Sequence, residues 1–197
     1  LPCKFKIVVG AAEHDRASLA IHDLVLRKPP PRAGEVGFEV AVGGGLGRTP
    51  FLAKVIKPFL PKRDVLSYVE AVLRTSNQFG RRDNIWKARI KILVHELGAE
   101  AFAKEVEAEW ASIKDGTLAL DPAVVAEIAG RFVYPDYARL RDAPPALAEA
   151  RRADRAFDTW FANSVTNHKV PGYSIVTLSL KAEGGTPGDA TAGQMDA

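Results

Sequence analysis

The sequence predicts an α+β protein, because strand-like and helix-like segments fall in separate blocks rather than alternating. Strand-like runs crowd the first 42 residues, helical periodicity fills the middle, and one alternating run returns at 173–181. Apolar residues make up 47% of the chain and charged residues 26%, enough for a core and too apolar for a disordered tail.

Each element has its own local reason. Residues 4–9 (KFKIVV) alternate basic and apolar side chains before turning wholly apolar, which predicts a strand entering a core. Residues 19–27 and 35–42 predict two more strands. The breaker-rich KPPPRAG between them makes a hairpin with a long loop. Thr49-Pro50 carries the signature of an N-cap and first helical position, so a helix is expected over 51–57. Further helices are expected over 63–79, 85–97 and 100–113. In the first of these, Val65, Val69, Val72, Leu73 and Phe79 form an apolar stripe, with Arg63, Glu70 and Arg74 facing out. Gly80 and Gly98 stand where helices should end.

Asp121-Pro122 repeats the start signal for a short helix to 129. Residues 134–145 lack periodicity and suit a linker. A helix over 150–165 carries Phe157, Trp160 and Phe161, residues 173–181 predict a strand, and Thr191 is placed to cap a last helix. The chain begins without an initiator Met and stops just inside that helix, so a piece of a longer protein is expected.

Composition excludes several classes. One cysteine, Cys3, rules out an internal disulfide and any multi-cysteine metal site made by this chain alone. A net charge of +3, from 27 basic and 24 acidic residues, is too balanced to indicate nucleic acid, and basic and aromatic residues do not interleave. No apolar run is long enough for a membrane span and no secretory leader is visible, so a cytosolic setting without a membrane partner is expected.

Motif tests narrow the chemistry further. Counting from Gly43, the sixth residue is Arg48, which fails the dinucleotide fingerprint, and no Gly-Lys-Ser/Thr ending makes a phosphate loop. What remains, Gly43-Gly44-Gly45-Leu46-Gly47-Arg48, fits either a structural bend or close approach to a flat or anionic ligand. His95-Glu96 lacks a second histidine, since position 99 is Ala, and His14, His22 and His168 have no metal spacing. No serine-elbow motif occurs. Arg81, Arg82, Lys87, Arg89 and Lys91 crowd one stretch. A helix over 85–97 would place Lys87 and Lys91 on one face, either solvated or turned on an anion. Lys4 and Lys6, two apart, share one side of a strand, as a solvated edge or as a pair converging on a small dianion.

The blocks LPCKFKIVV, HDLVL, GFEVAVGGGLGRTP, FGRRDNIWKARIKILV and HKVPGYSIVTLSLKAEGGTPGDATAGQMDA resemble, in order and spacing, the nitrite/sulfite reductase haemoprotein family. The resemblance implies six-electron reduction of sulfite to sulfide, or of nitrite to ammonia, at a sirohaem coupled to a [4Fe–4S] cluster. It implies electrons from a ferredoxin or a flavoprotein reductase. It also implies a sirohaem-domain α/β sandwich over 1–142, a linker over 143–155 and the start of a second ferredoxin-like half over 156–197.

By the same resemblance, Lys4 and Lys6 would bind substrate and supply protons, while Gly43, Gly44, Gly45, Arg48, Arg82, Arg89 and Lys91 would bind the sirohaem, the cationic side chains through its carboxylates. Lys6 leans the reading to sulfite, because plant-type nitrite reductases typically carry Asn there. A nitrite reductase, or a non-catalytic tetrapyrrole- or anion-binding homologue, is the alternative. Cys3 replaces the family's usual Arg, and the cluster's cysteines would lie outside this chain.

Overall fold

The computed structural model describes residues 4–12, 14–32, 34–140, 144–181 and 184–196. The chain divides into two compact units, 1–132 and 133–197. Cys3 and the expected boundary between 142 and 143 lie outside the described residues.

The first unit is a four-stranded mixed sheet with helices packed on it. Strand β1 (Ile7–Gly10) runs parallel to β2 (Leu24–Arg27), and β2, β3 (Gly37–Val42) and β4 (Lys54–Pro61) follow antiparallel in chain order. The register sets Leu24 opposite Val42 and Leu26 opposite Val40. Side chains two apart share a face, so these four point together at the helices. There they meet Tyr68, Ala71 and Val72 of α1 (Val65–Phe79), Ile90, Leu93 and Val94 of α2 (Ile90–Leu97), and Phe102 and Val106 of α3 (Ala99–Ile113). Each fully buried large side chain contributes on the order of 2 kcal/mol. The intervening Val25 and Ala41 face the other way, into a smaller cluster with Leu19.

Several elements differ from their sequence reading. The helix expected over 51–57 is a strand: β4 pairs with β3 from Val42↔Lys54 to Gly37↔Pro61, and Phe51 is bridged to Gly45. Thr49-Pro50 imitates a helix start, but Val55 and Ile56 favour the pleated surface. Pro58 is tolerated because β4 lies at the edge of the described sheet, where the register shifts between Phe38 and Ala41. The strand expected over 4–9 begins only at Ile7, and residues 19–21 form a 3₁₀ turn ahead of β2.

The helix expected over 85–97 is broken as well. A 3₁₀ turn covers Ile85–Lys87, Arg89 is extended at φ −77°, ψ 145°, and α2 starts at Ile90. Lys87 and Lys91 therefore do not share a helical face. In α1 the buried face is Tyr68, Ala71, Val72, Thr75 and Ser76, so of the expected stripe only Val72 is fully buried and Phe79 is exposed. The fourth helix, α4 (Pro122–Gly130), starts as expected, with the Asp121 side chain accepting from the Ala123 N–H at 2.8 Å.

The second unit holds α5 (Pro145–Ala153), α6 (Arg155–Ser164), the hairpin β5 (Val165–Asn167) and β6 (Ser174–Val176), and α7 (Ala192–Met195). The single helix expected over 150–165 is two, because extended Asp154 ends α5 and its side chain caps Ala156 and Phe157 of α6. The strand expected over 173–181 is shortened to β6. Thr191 caps α7 through a reciprocal pair with Gln194. Among the described residues no helix is long and apolar enough to cross a membrane.

Candidate functional site

The site is assembled around a residue that sequence reasoning passed over, Asp23. It is fully buried at the entrance to β2. Its Oδ2 accepts the Lys6 N–H at 3.0 Å, and its Oδ1 accepts Arg89 Nε at 3.1 Å and Nη2 at 2.7 Å. Its backbone carbonyl takes the Gly43 N–H at 3.0 Å. One residue thus joins the approach to β1, the glycine segment after β3 and the turn before α2. A buried carboxylate is tolerable only with such partners. A lone Asp opening an apolar strand (HDLVL) was the available signal.

The three glycines are fixed by their own neighbours. Gly43 has φ +86°, and a Cβ there would sit 2.9 Å from Val94. At Gly44 a Cβ would fall on the carbonyl of Ala20 and within 2.5 Å of the His22 carbonyl. At Gly45 it would meet Arg89 and Lys91, each at 3.0 Å. These contacts are within the chain, so the glycine run lets a strand end pass close under the 19–22 turn and the two basic side chains.

Beyond Gly45 the chain forms a short loop. Gly45 and Phe51 exchange backbone hydrogen bonds of 2.9 and 3.0 Å, closing the base. Lys91, itself buried, reaches inside and donates to the carbonyls of Leu46 at 3.1 Å and Thr49 at 2.6 Å. Burial holds its ammonium below the usual lysine range, the nearby Arg89 adds to this, and Asp23 opposes it. Arg48 stands exposed in the pinned loop.

The loop and the 86–92 segment enclose an open cleft of about 670 Å³, lined by Leu46, Gly47, Arg48 and Thr49 on one side and Trp86, Lys87, Arg89, Lys91 and Ile92 on the other. Trp86 is 88% exposed. The cleft joins apolar surface to cations, of which Arg48 and Lys87 face solvent and Arg89 is a quarter exposed.

The sequence-predicted residues therefore fall into groups. Gly45, Arg89 and Lys91 meet at one place, with Gly43 tied to it through Asp23 and Gly44 packed beneath the 19–22 turn. Arg48 lines the same cleft. Lys4 and Lys6 are exposed ahead of β1, and the Lys6 backbone is bonded into the group through Asp23. The Arg82 guanidinium is engaged elsewhere, donating to the carbonyls of Ser76 at 3.2 Å and Asn77 at 2.9 Å and capping the end of α1. Arg81 is paired with Asp83, whose carboxyl is brought down to about 2 chiefly by that hydrogen bond.

The first unit is thus a sheet-and-helix domain with a cleft lined by cations, and comparison with known proteins places it in a family. Residues 1–114 match the family model described as the nitrite and sulphite reductase 4Fe-4S domain, and the chain belongs to that family. It is 37% identical over 114 residues to a protein named sulfite reductase (ferredoxin) from Synechococcus elongatus, a match covering 54% of this chain and 18% of that one. It is 34% identical over 114 residues to a sulfite reductase (NADPH) hemoprotein beta-component from Leptospira biflexa, covering 54% of this chain and 20% of that one. The structure of the Mycobacterium tuberculosis NirA protein aligns with a TM-score of 0.46 at 28% identity, covering 50% of this chain and 18% of that one. The chain thus spans about a fifth of the length of the curated relatives it matches, at 18% and 20%.

Proposed function

We propose that this chain serves within a longer sulfite reductase haemoprotein, lining the anionic substrate and one edge of a sirohaem in the six-electron reduction of sulfite to sulfide. The observation that supports this most is the Asp23 junction, which ties the backbone of Lys6 to Arg89 beside a cationic cleft.

The residues present fit a carboxylated macrocycle. The cleft volume, about 670 Å³, lies in the usual range for cofactor sites. Trp86, Leu46 and Ile92 offer apolar contact, and Arg48, Lys87 and the exposed part of Arg89 offer charge-assisted hydrogen bonds to carboxylates. Lys91 would act indirectly, because its ammonium is given to two loop carbonyls. The chain does not fit the iron–sulfur cluster in the same way, since four thiolates are needed and it has one cysteine.

When bound, the sirohaem supplies electrons to the substrate. The work of this chain is electrostatic. Lys4 and Lys6 carry exposed ammonium groups that attract a dianion, hold its oxygens and deliver protons as those oxygens leave as water. Electrons would come from a ferredoxin or a flavoprotein reductase; the relatives are named for ferredoxin and for NADPH. Sulfite is favoured over nitrite because a second ammonium at Lys6 suits a dianion better than a monoanion.

The test is Lys6→Asn in the enzyme encoded by the complete reading frame. Sulfite kcat/KM should fall at least tenfold relative to nitrite kcat/KM. An unchanged ratio would remove Lys6 from substrate selection, and an enzyme that turns over neither anion would end the reductase reading.

A further inference from the structure

We propose that Asp23 is a positioning residue for the lysine-bearing segment, holding the Lys6 peptide in place so that its ammonium points at the substrate; the inference rests on the reductase reading above. The β1–β2 ladder begins only at Ile7↔Leu24. Backbone pairing with β2 reaches back only to the Lys6 carbonyl, so sheet pairing alone leaves the Lys6 N–H without a partner. Asp23 extends the constraint across that gap. The Lys6 N–H donates to Asp23 Oδ2 at 3.0 Å, and the Lys6 carbonyl accepts the Leu24 N–H at 3.1 Å, so both backbone polar groups of this residue are held.

The two carboxylate oxygens have different tasks. Oδ1 takes both Arg89 contacts and Oδ2 takes the Lys6 amide. Arg89 supplies the charge that makes a fully buried carboxylate tolerable, and Asp23 in turn restrains the guanidinium on the cleft wall. A single buried group therefore sets the spacing between the substrate-facing lysine and a cation of the cleft. An Asn at 23 cannot reproduce this. Its one oxygen can serve Arg89 or Lys6, and its amide nitrogen would face the other donor. Displacement of about 1 Å at a reacting centre costs on the order of a hundredfold in rate.

The experiment compares wild type, D23N, K6N and the double variant in the complete enzyme, with Y68F as a destabilised control remote from the cleft. Sulfite kcat and KM are measured together with amide hydrogen exchange of the 4–10 peptide. D23N should speed exchange in that peptide about tenfold or more, leave peptides of α1 and α3 unchanged, and lower sulfite kcat/KM ten- to a hundredfold. In the K6N background the same change should cost less than threefold, because the lysine it positions is gone. Arg89→Lys, which keeps the charge, should retain most of the protection. Equal acceleration across all peptides, or full additivity with K6N, would overturn the proposal. If D23N does not fold, the wild-type Lys6 amide decides: protection supports the tie, and exchange at the free-chain rate overturns it. Loss of both sulfite and nitrite turnover in the wild type would overturn the reductase reading instead, while the exchange data still test the tie.

Discussion

Two charge clusters fasten distant parts of the first unit, and they are built in opposite ways. At Glu107 the carboxylate receives Lys57 through both oxygens, at 2.9 and 3.0 Å, and the Tyr68 hydroxyl at 2.8 Å. Lys57 also lies over the rings of Tyr68 and Trp110, at 5.6 and 5.0 Å. Burial, with Glu107 adding to it, pushes the Tyr68 hydroxyl far above its ordinary pKa, so it stays a donor at any working pH. That cluster answers its own charges with side chains. At Asp23 the carboxylate is spent on one backbone amide and one guanidinium, while Arg48 and Lys87 stand nearby on the cleft and face solvent. The first cluster neutralises itself; the second leaves cations at the rim of the cleft, and the proposed anion site rests on that difference.

Substitutions can break or sharpen this contrast. The largest effect is expected from Gly44→Ala, whose new methyl group meets backbone of the 19–22 turn rather than a movable side chain. It should cost about 3 kcal/mol in urea denaturation, at the upper end for overpacking. A loss under about 1 kcal/mol would show that the turn yields and that the glycine run is not needed for packing. Next comes Tyr68→Phe, which deletes a buried hydroxyl bonded to a carboxylate and should cost about 1–2 kcal/mol. On the proposed reductase reading it should leave sulfite turnover of the complete enzyme unchanged, because the Glu107 cluster answers its own charges. A change in turnover would erase the distinction between the two clusters.

The smallest effect is expected at Lys91 and shows in pH dependence. Its pKa is lowered in the fold, so between that value and the ordinary lysine value the unfolded chain binds more protons than the native one. Stability must then rise with pH across this alkaline window, and the cost of burying the charge persists at every lower pH. Lys91→Met should flatten the rise in a series of denaturation curves. An unchanged alkaline slope would mean that Lys91 is no more perturbed in the fold than in the unfolded chain.

Much of the scaffold was legible in the sequence. Asp121-Pro122 and Thr191 announced helix starts through capping chemistry that depends on adjacent residues alone. The long helix α1 was expected from an apolar stripe over 63–79, although of that stripe only Val72 is fully buried. Legibility failed where the deciding partner was distant. Thr49-Pro50 satisfied every local rule for a helix, and only pairing with β3 made the following residues a strand. Arg82 looked like a ligand-binding cation because its partners, the last carbonyls of α1, become available only once that helix has ended. Asp23 drew no attention because its meaning lies in Arg89, 66 positions away.

That separation has a consequence for biosynthesis. A growing chain completes β1, β2 and the glycine run well before it contains the guanidinium that Asp23 requires. Until Arg89 emerges, burying the carboxylate would leave its charge unanswered, so this end of the sheet must stay open to water. The last-made segment of the cleft therefore locks its first-made wall, and a nascent chain halted upstream of Arg89 would display its lysines without a fixed bearing.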